Sequence, residues 1–343
     1  MSKKVITFGE IMLRLATPGY NRFSQTNNFE ATYGGGEVNV SVSLANFGIP
    51  TAYVTRLPAN DIGKSCQQKL NGYGVDTDHI IFGGDRMGIY FLETGAVARG
   101  SKVVYDRENS AFTSLKKGMI DWDAVFEDAD WFHWTGITPA ISAGATEVLK
   151  EALCKANQKG IPVSCDVNYR SKLWKKGHKV EEEMPALIAR TNVLIGNEFD
   201  AVRVLGVDTH LSADVEYSNE TFGKVSKQLM EKFPRIEKII TTRRGTINAN
   251  YNTWEGILFD GNKVFKSPSY QMTHIVDRVG GGDALMAGLI YGFLTYPKDS
   301  QKTIDFAVAA SFLKHTISGD ENDVSIDEVD QVMQGNLTGR INW

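Results

Sequence analysis

Short apolar runs alternate with stretches of helical periodicity over most of this 343-residue chain. Lys4–Phe8 is predicted as the first strand, a helix follows over about Glu37–Phe47, and Thr51–Thr55 is predicted as the next strand. Strands that alternate with helices indicate βαβ units and therefore a mainly parallel sheet. The same pattern predicts later strands at His79–Phe82, Trp131–Ile137, Ile161–Val167, Val193–Ile195 and Ile236–Thr241.

Capping residues mark where several of the helices begin and end. Asp61 is predicted to cap a helix that runs to about Leu70, and Gly160 stands where a long helix over Ser142–Lys159 should end. Further helices are predicted at Thr221–Phe233, Ala284–Leu294 and Thr303–His315, with a final one opened by the capping box of Ser325 and Glu328. These elements predict an α/β fold of Rossmann-like type, with a mostly parallel central sheet flanked by helices.

Three stretches interrupt the alternation of strands and helices. Ile11–Tyr33 is turn-rich and is predicted to be irregular, Met87–Asp106 has the pattern of paired strands, and Thr246–Lys266 that of antiparallel hairpins. Strands without crossover helices suggest a small separate sheet that covers a site. We therefore expect one domain over residues 1–343, with an inserted lid formed by about 11–33 and 87–106.

Charge and composition restrict the function and the compartment. The 37 basic and 41 acidic residues give a net charge of −4, so no basic character points to nucleic acid or to an anionic membrane. No apolar run approaches the roughly 20 residues of a membrane span, and the short N-terminal segment before the first strand is too brief for a signal peptide. Cys66, Cys154 and Cys165 lie far apart, which suits a reducing compartment. We therefore predict a cytoplasmic enzyme without nucleic-acid or membrane partners.

The most distinctive local feature is the run Gly280-Gly281-Gly282-Asp283, which leads directly into an apolar helix. Bare glycine backbone lets a ligand approach closely, and the free N–H groups and dipole of a helix start favour an anion. Asp283 would repel a bound phosphate but could accept the proton of an attacking hydroxyl. The alternative is a plain glycine turn, with Asp283 as an ordinary residue of the first helical turn.

A second glycine cluster, Gly34-Gly35-Gly36, opens the helix near the N-terminus. Asn39 lies one turn into this helix and could hydrogen-bond a polyol that approaches the bare backbone. A simple helix-entry turn explains this cluster alone. Two glycine-opened helices, one at each end of the chain, are harder to explain as plain turns and favour a functional role.

Both clusters resemble the signatures of the PfkB, or ribokinase-like, family of carbohydrate kinases. The run over 277–283 resembles the family's Asp-x-x-Gly-x-Gly-Asp, Gly35–Ser41 followed by Gly48 resembles its first signature, and Leu57–Gly63 its Gly-x-Asp-x-x-Gly segment, although Pro58 replaces a glycine there. The resemblance extends over essentially the whole chain and implies a ribokinase-like fold that uses ATP and Mg²⁺. Arg278 and Val279 replace the small hydroxylic residues common in the family, so the sequence does not decide whether the family's monovalent-cation site is present.

The resemblance also implies a set of functional residues. Asp283 would be the catalytic base, beside an anion hole at Gly280, Gly281 and Gly282. Sugar-binding residues would be Gly35, Gly36, Asn39, Tyr90, Tyr105, Arg107, Arg170, Asp283 and Asp320. Nucleotide-binding residues would be Asn168, Asn197, Thr242, Arg243, Gly245, Gly280 and Gly282. Asp200 would act on the metal through water, because Asn197-Glu198-Phe199-Asp200 is similar to the family's Asn-x-x-Glu, and Glu198 would be a second metal-binding residue.

Within the family, Phe132–Ile137, Arg86–Glu93 and Lys314–Asp320 are most similar to segments of 2-keto-3-deoxygluconate kinases. This similarity implies that ATP phosphorylates an acidic sugar to its 6-phosphate. Arg107 and Arg170 would suit the carboxylate of that sugar, because a guanidinium can bind a carboxylate in a fork. The resemblance further suggests a homo-oligomer that pairs through the lid sheet.

Several alternatives stay open at this point. Arg107 could pair on the surface with Asp106 or Glu108, and Asp320 could serve only the C-terminal loop. A fructokinase or a 2-keto-3-deoxygalactonate kinase would keep Asp283 and differ in its lid and pocket. A sugar-sensing protein without catalysis should lack the base or the anion hole, and the intact run over 280–283 argues against it.

Overall fold

The computed structural model describes residues 3–174, 179–207 and 218–339 of the chain. In chain order its strands are β1 (Lys4–Phe8), β2 (Met12–Ala16), β3 (Glu30–Gly34), β4 (Thr51–Val54), β5 (Arg56–Leu57), β6 (Ile81–Phe82), β7 (Gly88–Glu93), β8 (Lys102–Asp106), β9 (Ala129–Thr135), β10 (Val163–Asp166), β11 (Val193–Ile195), β12 (Lys238–Thr246), β13 (Asn252–Phe259), β14 (Val264–Lys266) and β15 (Tyr270–Met272). Its helices are α1 (Gly36–Asn46), α2 (Asp61–Gly72), α3 (Trp122–Val125), α4 (Ile137–Ile141), α5 (Ala143–Gln158), α6 (Val180–Ile188), α7 (Asn219–Lys232), α8 (Gly281–Thr295), α9 (Ser300–Lys314) and α10 (Ile326–Met333).

A large sheet forms the centre of the fold and confirms the predicted α/β architecture. Its strands lie in the order β14-β13-β12-β11-β10-β9-β1-β4, and β15 also pairs with β13. Neighbouring strands from β4 to β12 are parallel, whereas β13 pairs with β12, β14 and β15 in antiparallel fashion. Helices α5, α6 and α7 pack in one apolar layer, and α1, α8, α9 and α10 pack in another. The strands and helices thus form three layers.

A smaller sheet contains the strands β3, β2, β7 and β8 in that order. Its presence confirms the paired strands predicted over Met87–Asp106. The irregular structure predicted for Ile11–Tyr33 is wrong, because this stretch supplies β2 and β3. A buried arginine, Arg14, stands between Met12 and Ala16 on the inner face of β2 and hides the usual alternation of apolar and polar residues.

The predicted hairpins over Thr246–Lys266 exist but do not form a separate sheet. Strands β13 and β14 extend the large sheet beyond β12, so the expectation of a separate sheet is wrong for this stretch. The two strands β12 and β13 pair along nearly their whole length, from Ile239 opposite Phe259 to Thr246 opposite Asn252. This pairing makes the hairpin part of the large sheet.

Several element ends differ from the predicted ones by a few residues. Asn60, not Asp61, caps α2, because its side-chain oxygen accepts the backbone N–H groups at 62 and 63. The strand predicted over Trp131–Ile137 ends earlier, because Ile137 already begins α4. The strand predicted over His79–Phe82 is only the two-residue β6. The long helix predicted over 142–159 and its glycine end are confirmed, since Gly160 has a φ of 70°.

Strand β9 runs through the middle of the core. Phe132, His133 and Trp134 are all fully buried there. Burial lowers the pKa of His133 to about 3, so its ring is neutral, and its Nδ1 lies 3.0 Å from the hydroxyl of Ser164. Within the described ranges, no helix combines the length and the apolarity that a bilayer crossing requires.

Candidate active site

The carboxyl ends of the parallel strands and the smaller sheet enclose a cavity of about 500 Å³, here called the main cavity. Asp166 and Ile195, at the ends of β10 and β11, line it on one side, and Tyr90 and Tyr105 of the smaller sheet line it on another. A second cavity of about 320 Å³, the side cavity, shares Tyr105 and Arg170 with it. Open α/β sheets bind ligands at this edge.

Helix α8 begins at the wall of the main cavity. Gly280 caps it with a φ of 83°, and a Cβ there would lie 2.0 Å from the carbonyl oxygen of Asp320. A Cβ on Gly281 would lie 2.5 Å from the ring of His315, whereas a Cβ on Gly282 would meet no described atom within 4 Å. Packing therefore requires the first two glycines. The third leaves bare backbone at the cavity, where the helix start favours an anion.

Asp283 lies in the first turn of α8 and faces the start of α1. Asn39 Nδ2 donates a hydrogen bond of 2.7 Å to Asp283 Oδ2, and a Cβ on Gly36 would stand 3.6 Å from Asp283 Oδ1. Burial raises the pKa of Asp283 to about 7; the charges of Asp166 and Asp320 add to this effect, and the bond from Asn39 opposes it. A carboxylate with a pKa near neutrality can accept a proton from a hydroxyl.

A buried ionic cluster ties the smaller sheet to the start of α8. Arg14 Nη1 donates to Asp320 Oδ1 at 2.5 Å, and Arg14 Nη2 donates to Asp277 Oδ2. The hydroxyl of Tyr90 donates to Asp320 at 2.6 Å. All four side chains are buried, so removal of Arg14 would leave the carboxylates of Asp277 and Asp320 without the cation that they share, at a cost of about 3–5 kcal/mol. Asp320 thus already serves as a tie between elements, and its contact with sugar stays a prediction.

The two arginines predicted to bind a sugar carboxylate occupy different surroundings. Arg107 is nearly buried, and its Nε donates at 2.8 Å to Glu10, whose other carboxylate oxygen accepts from Ser110 at 2.5 Å. Its ion-pair partner is therefore neither of the neighbours at 106 and 108. Arg107 lines the side cavity, while Arg170 is exposed and lines both cavities. Arg170 is the arginine more available to a ligand.

Asp166 is the last residue of β10, and Asp200 lies in the segment that follows β11. Burial raises the pKa of Asp166 to about 7 and also raises the pKa of Asp200. The backbone N–H of Asn197 donates to Asp200 at 2.9 Å, and the Asp200 N–H donates to the Asn197 side chain at 3.0 Å. The described residues contain no group of three or more metal-ligating side chains. A carboxylate pair without a full ligand set fits a Mg²⁺ ion that arrives on substrate phosphates and keeps several waters.

Strand β12 reaches the main cavity, which Thr241, Thr242 and Arg244 line. Thr242 and Arg244 are two apart and therefore lie on one face of the strand. Arg243, predicted to bind nucleotide, faces the other way, where its Nη1 lies 3.8 Å from Glu255. Gly245 also lies outside the cavity lining. The period of two, counted from Thr242, would have identified Arg244 from the sequence.

The structure brings most of the predicted site residues together at the main cavity. Those that line it are Gly35, Gly36, Asn39, Tyr90, Tyr105, Asn168, Arg170, Asn197, Asp200, Thr242, Gly280, Gly282, Asp283 and Asp320. Those that do not are Arg107, Glu198, Arg243, Gly245 and Gly281. Lining residues that the prediction did not assign include Asp166, Tyr169, Arg244, Trp254 and Arg278.

An anion-binding helix start beside a carboxylate of near-neutral pKa, at the carboxyl edge of a parallel sheet, is an arrangement suited to phosphoryl transfer. The chain belongs to the pfkB family of carbohydrate kinases, whose defining pattern matches residues 2–326. The protein is therefore a carbohydrate kinase with a ribokinase-like fold, and the resemblance seen in its signatures is confirmed.

Known proteins resemble this chain over nearly its whole length. A 2-dehydro-3-deoxygluconokinase from Thermotoga maritima is 43% identical, with a TM-score of 0.92, over 98% of this chain and 99% of that one. A 2-dehydro-3-deoxygalactonokinase from Haloferax volcanii is 30% identical over 99% of both chains. A putative ribokinase II from E. coli, solved with ATP and Mg²⁺, shares the fold at 18% identity and a TM-score of 0.76, over 97% of this chain and 99% of that one.

The different surroundings of Gly281 and Gly282 predict opposite effects of the same substitution. Gly281→Ala should lower the thermal midpoint, because the new Cβ meets the buried ring of His315 and overpacking costs about 1–3 kcal/mol. Gly282→Ala should leave the midpoint unchanged or slightly higher but reduce activity, because its Cβ enters only the cavity. Calorimetry and steady-state kinetics on both variants test this; equal loss of stability in the two would contradict it.

Proposed function

We propose that this carbohydrate kinase transfers the γ-phosphoryl group of ATP to the 6-hydroxyl of 2-keto-3-deoxygluconate, also named 2-dehydro-3-deoxygluconate. The observation that carries the proposal is the position of Asp283, a carboxylate with a pKa near 7 at the start of α8, next to the exposed backbone of Gly282. The name of the relative at 43% identity supports the sugar. The fold shared with a kinase solved with ATP and Mg²⁺ supports the donor.

Asp283 acts as the base in the proposed reaction. The sugar hydroxyl lies against its carboxylate, and the oxygen attacks the γ-phosphorus as the bond to the bridging oxygen of ADP breaks. The hydroxyl proton passes to Asp283, and ADP leaves with the electron pair of the broken bond. The amides at the start of α8, over 280–283, stabilise the charge on the transferred group. Asn39 holds the carboxylate in place through its 2.7 Å bond.

The nucleotide is proposed to lie along the carboxyl ends of β10, β11 and β12. Asn168, Asn197 and Thr242 line this side of the main cavity. Asp200 and Asp166 would face the metal, Asp200 through water. When bound, Mg²⁺ would neutralise charge on the phosphates. Glu198 does not line the cavity and would act only at longer range, and the need for a monovalent cation stays an open prediction.

An acidic sugar is favoured over a neutral one by Arg170, which lines the same cavity as Asp283. Arg170 lines both cavities, and Tyr105 stands beside it on the smaller sheet. A guanidinium in this position suits a carboxylate. The epimeric acid 2-keto-3-deoxygalactonate is a second candidate, because the Haloferax volcanii relative bears the name of its kinase. The two sugars carry the same carboxylate, so contacts with their remaining hydroxyls would have to separate them.

Three further predictions concern the setting of the reaction. The smaller sheet, formed by about 11–33 and 87–106, is proposed to act as a lid over the sugar. It would exclude water, which would otherwise compete as the acceptor. Its outer strand β8 is exposed along its whole length, Val104 included, which suits pairing of two subunits through the smaller sheet. The cytoplasmic location stays a prediction from the spacing of the cysteines.

Substitution of the base and a panel of sugars test the proposal. Asp283→Asn should lower kcat by about 100- to 10,000-fold with ATP and sugar binding retained, because it removes a general base. Asp61→Asn, which deletes a carboxylate from the first turn of α2 on the exposed surface, is the matched control and should be fully active. An ADP-release assay across both keto-deoxy acids, fructose and glucose should show the highest kcat/KM with 2-keto-3-deoxygluconate. Full activity of Asp283→Asn, or a preference for neutral hexoses, would contradict the proposal.

The role of Arg170 predicts selectivity for charge. Arg170→Leu should lower kcat/KM for the acidic sugar by about 10- to 100-fold, the worth of a charge-assisted hydrogen bond, and change it little for a neutral hexose. Arg190→Leu removes the same charge from an exposed position after α6 and serves as the control. Equal losses with acidic and neutral sugars would count against carboxylate recognition by Arg170.

A further inference from the structure

Two arginines without an assigned role line the main cavity next to the start of α8. Arg244 belongs to β12, and Arg278 precedes Gly280 by two residues. Neither lines the side cavity, which contains Arg107 and Arg170. Arg170 lines the main cavity as well, so Arg244 and Arg278 are the two arginines of the main cavity that the side cavity does not share.

Arg244 is linked to the start of α8 through contacts with two rings. Its guanidinium lies 4.7 Å from the centre of the Trp254 ring. Trp254 in turn lies 5.6 Å from the ring of His315, and His315 is the side chain that a Cβ on Gly281 would strike. Burial lowers the pKa of His315 to about 4, so this ring is neutral and supplies no charge of its own. These successive contacts connect the guanidinium of Arg244 to the start of α8.

Arg278 is fixed by a hydrogen bond to a neighbouring loop. Its Nη2 donates to the carbonyl oxygen of Ala249 at 2.6 Å. The nearby carboxylate of Asp277 is already engaged, because it accepts from Arg14 and from the backbone N–H groups of Val279 and Gly319. Arg278 is thus positioned without being neutralised.

Within the described ranges, neither Arg244 nor Arg278 has a carboxylate within 4 Å. Burial and the charge of Arg278 lower the pKa of Arg244 to about 10, which still leaves it a cation at neutral pH. Two cations that repel each other beside an anion-favouring helix start are destabilising unless an anion lies between them. We therefore expect an anion with more than one negative charge, which can contact both Arg244 and Arg278.

We infer that Arg244 and Arg278 form a clamp for the polyphosphate of the nucleotide donor. This inference rests on the proposed function, because it assigns the donor to this wall and the acidic sugar to the wall of Arg170. Guanidinium groups suit phosphate oxygens, which accept two parallel hydrogen bonds from one fork. The clamp would not contact the base or the ribose of the nucleotide. Loss of the clamp should therefore weaken the binding of ATP but not the binding of adenosine.

The test measures nucleotide binding by calorimetry, without sugar, for ATP and for adenosine. Arg244→Met and Arg278→Met should each weaken ATP binding by about 10- to 100-fold and adenosine binding by less than about 3-fold. Arg190→Met is the matched control, since it removes the same charge from an exposed position after α6, away from both cavities. Arg244→Lys keeps the charge and should recover part of the ATP affinity, and thermal midpoints show that each variant folds.

The outcomes separate the clamp from the proposed function. If the unsubstituted protein fails to bind ATP, the proposed function is wrong. If it binds ATP and both Arg244→Met and Arg278→Met bind it equally well, the clamp is wrong. The clamp is also wrong if Arg190→Met causes the larger loss, or if the KM for the acidic sugar rises while the affinity for ATP stays the same.

Discussion

The candidate site depends on how closely two helix starts from opposite ends of the chain approach each other. Asn39 of α1 and Asp283 of α8 are joined by a 2.7 Å hydrogen bond across 244 positions of sequence. Apolar residues of both helices lie in the same layer of the core, which keeps the two starts in register. Because Gly36 carries no side chain, the carboxylate of Asp283 has open space on its other side. The packing of two helices thus places a half-buried carboxyl group with a pKa near 7 where a hydroxyl can reach it.

The same region receives its second constraint from the smaller sheet. Arg14 and Tyr90 converge on Asp320, and Arg14 also binds Asp277 at the approach to α8. Movement of the smaller sheet would therefore break bonds between buried charges, unless Asp277 and Asp320 moved with it. This coupling makes the state of the sheet and the geometry of the helix start depend on each other. It also explains why a C-terminal loop residue lies at the cavity wall.

Local patterns in the sequence predicted the fold class and the two glycine-opened helices, because capping and hydrophobic periodicity are properties of neighbouring residues. They did not predict the partners of buried charges. Arg14 binds residues 263 and 306 positions away, and Arg107 binds Glu10 rather than a neighbour. The prediction chose Arg243, whereas the neighbouring Arg244 lines the main cavity. This error is local, because successive side chains of β12 point to opposite faces of the sheet. The sequence therefore did not predict which distant residues pair with buried charges, nor which face of β12 each arginine occupies.

The central claim is that Asp283 is the base and that burial sets its pKa near 7. Its direct test is the pH dependence of kcat/KM for the unsubstituted enzyme and for Asn39→Ala. The carboxylate form is the active one, so kcat/KM should rise as pH passes through about 7 and then level off. Loss of the bond from Asn39 removes an interaction that lowers this pKa, so the rise should move to higher pH in Asn39→Ala. Titration of the ATP phosphates is common to both enzymes and cancels in the comparison; identical profiles for the two would contradict the claim.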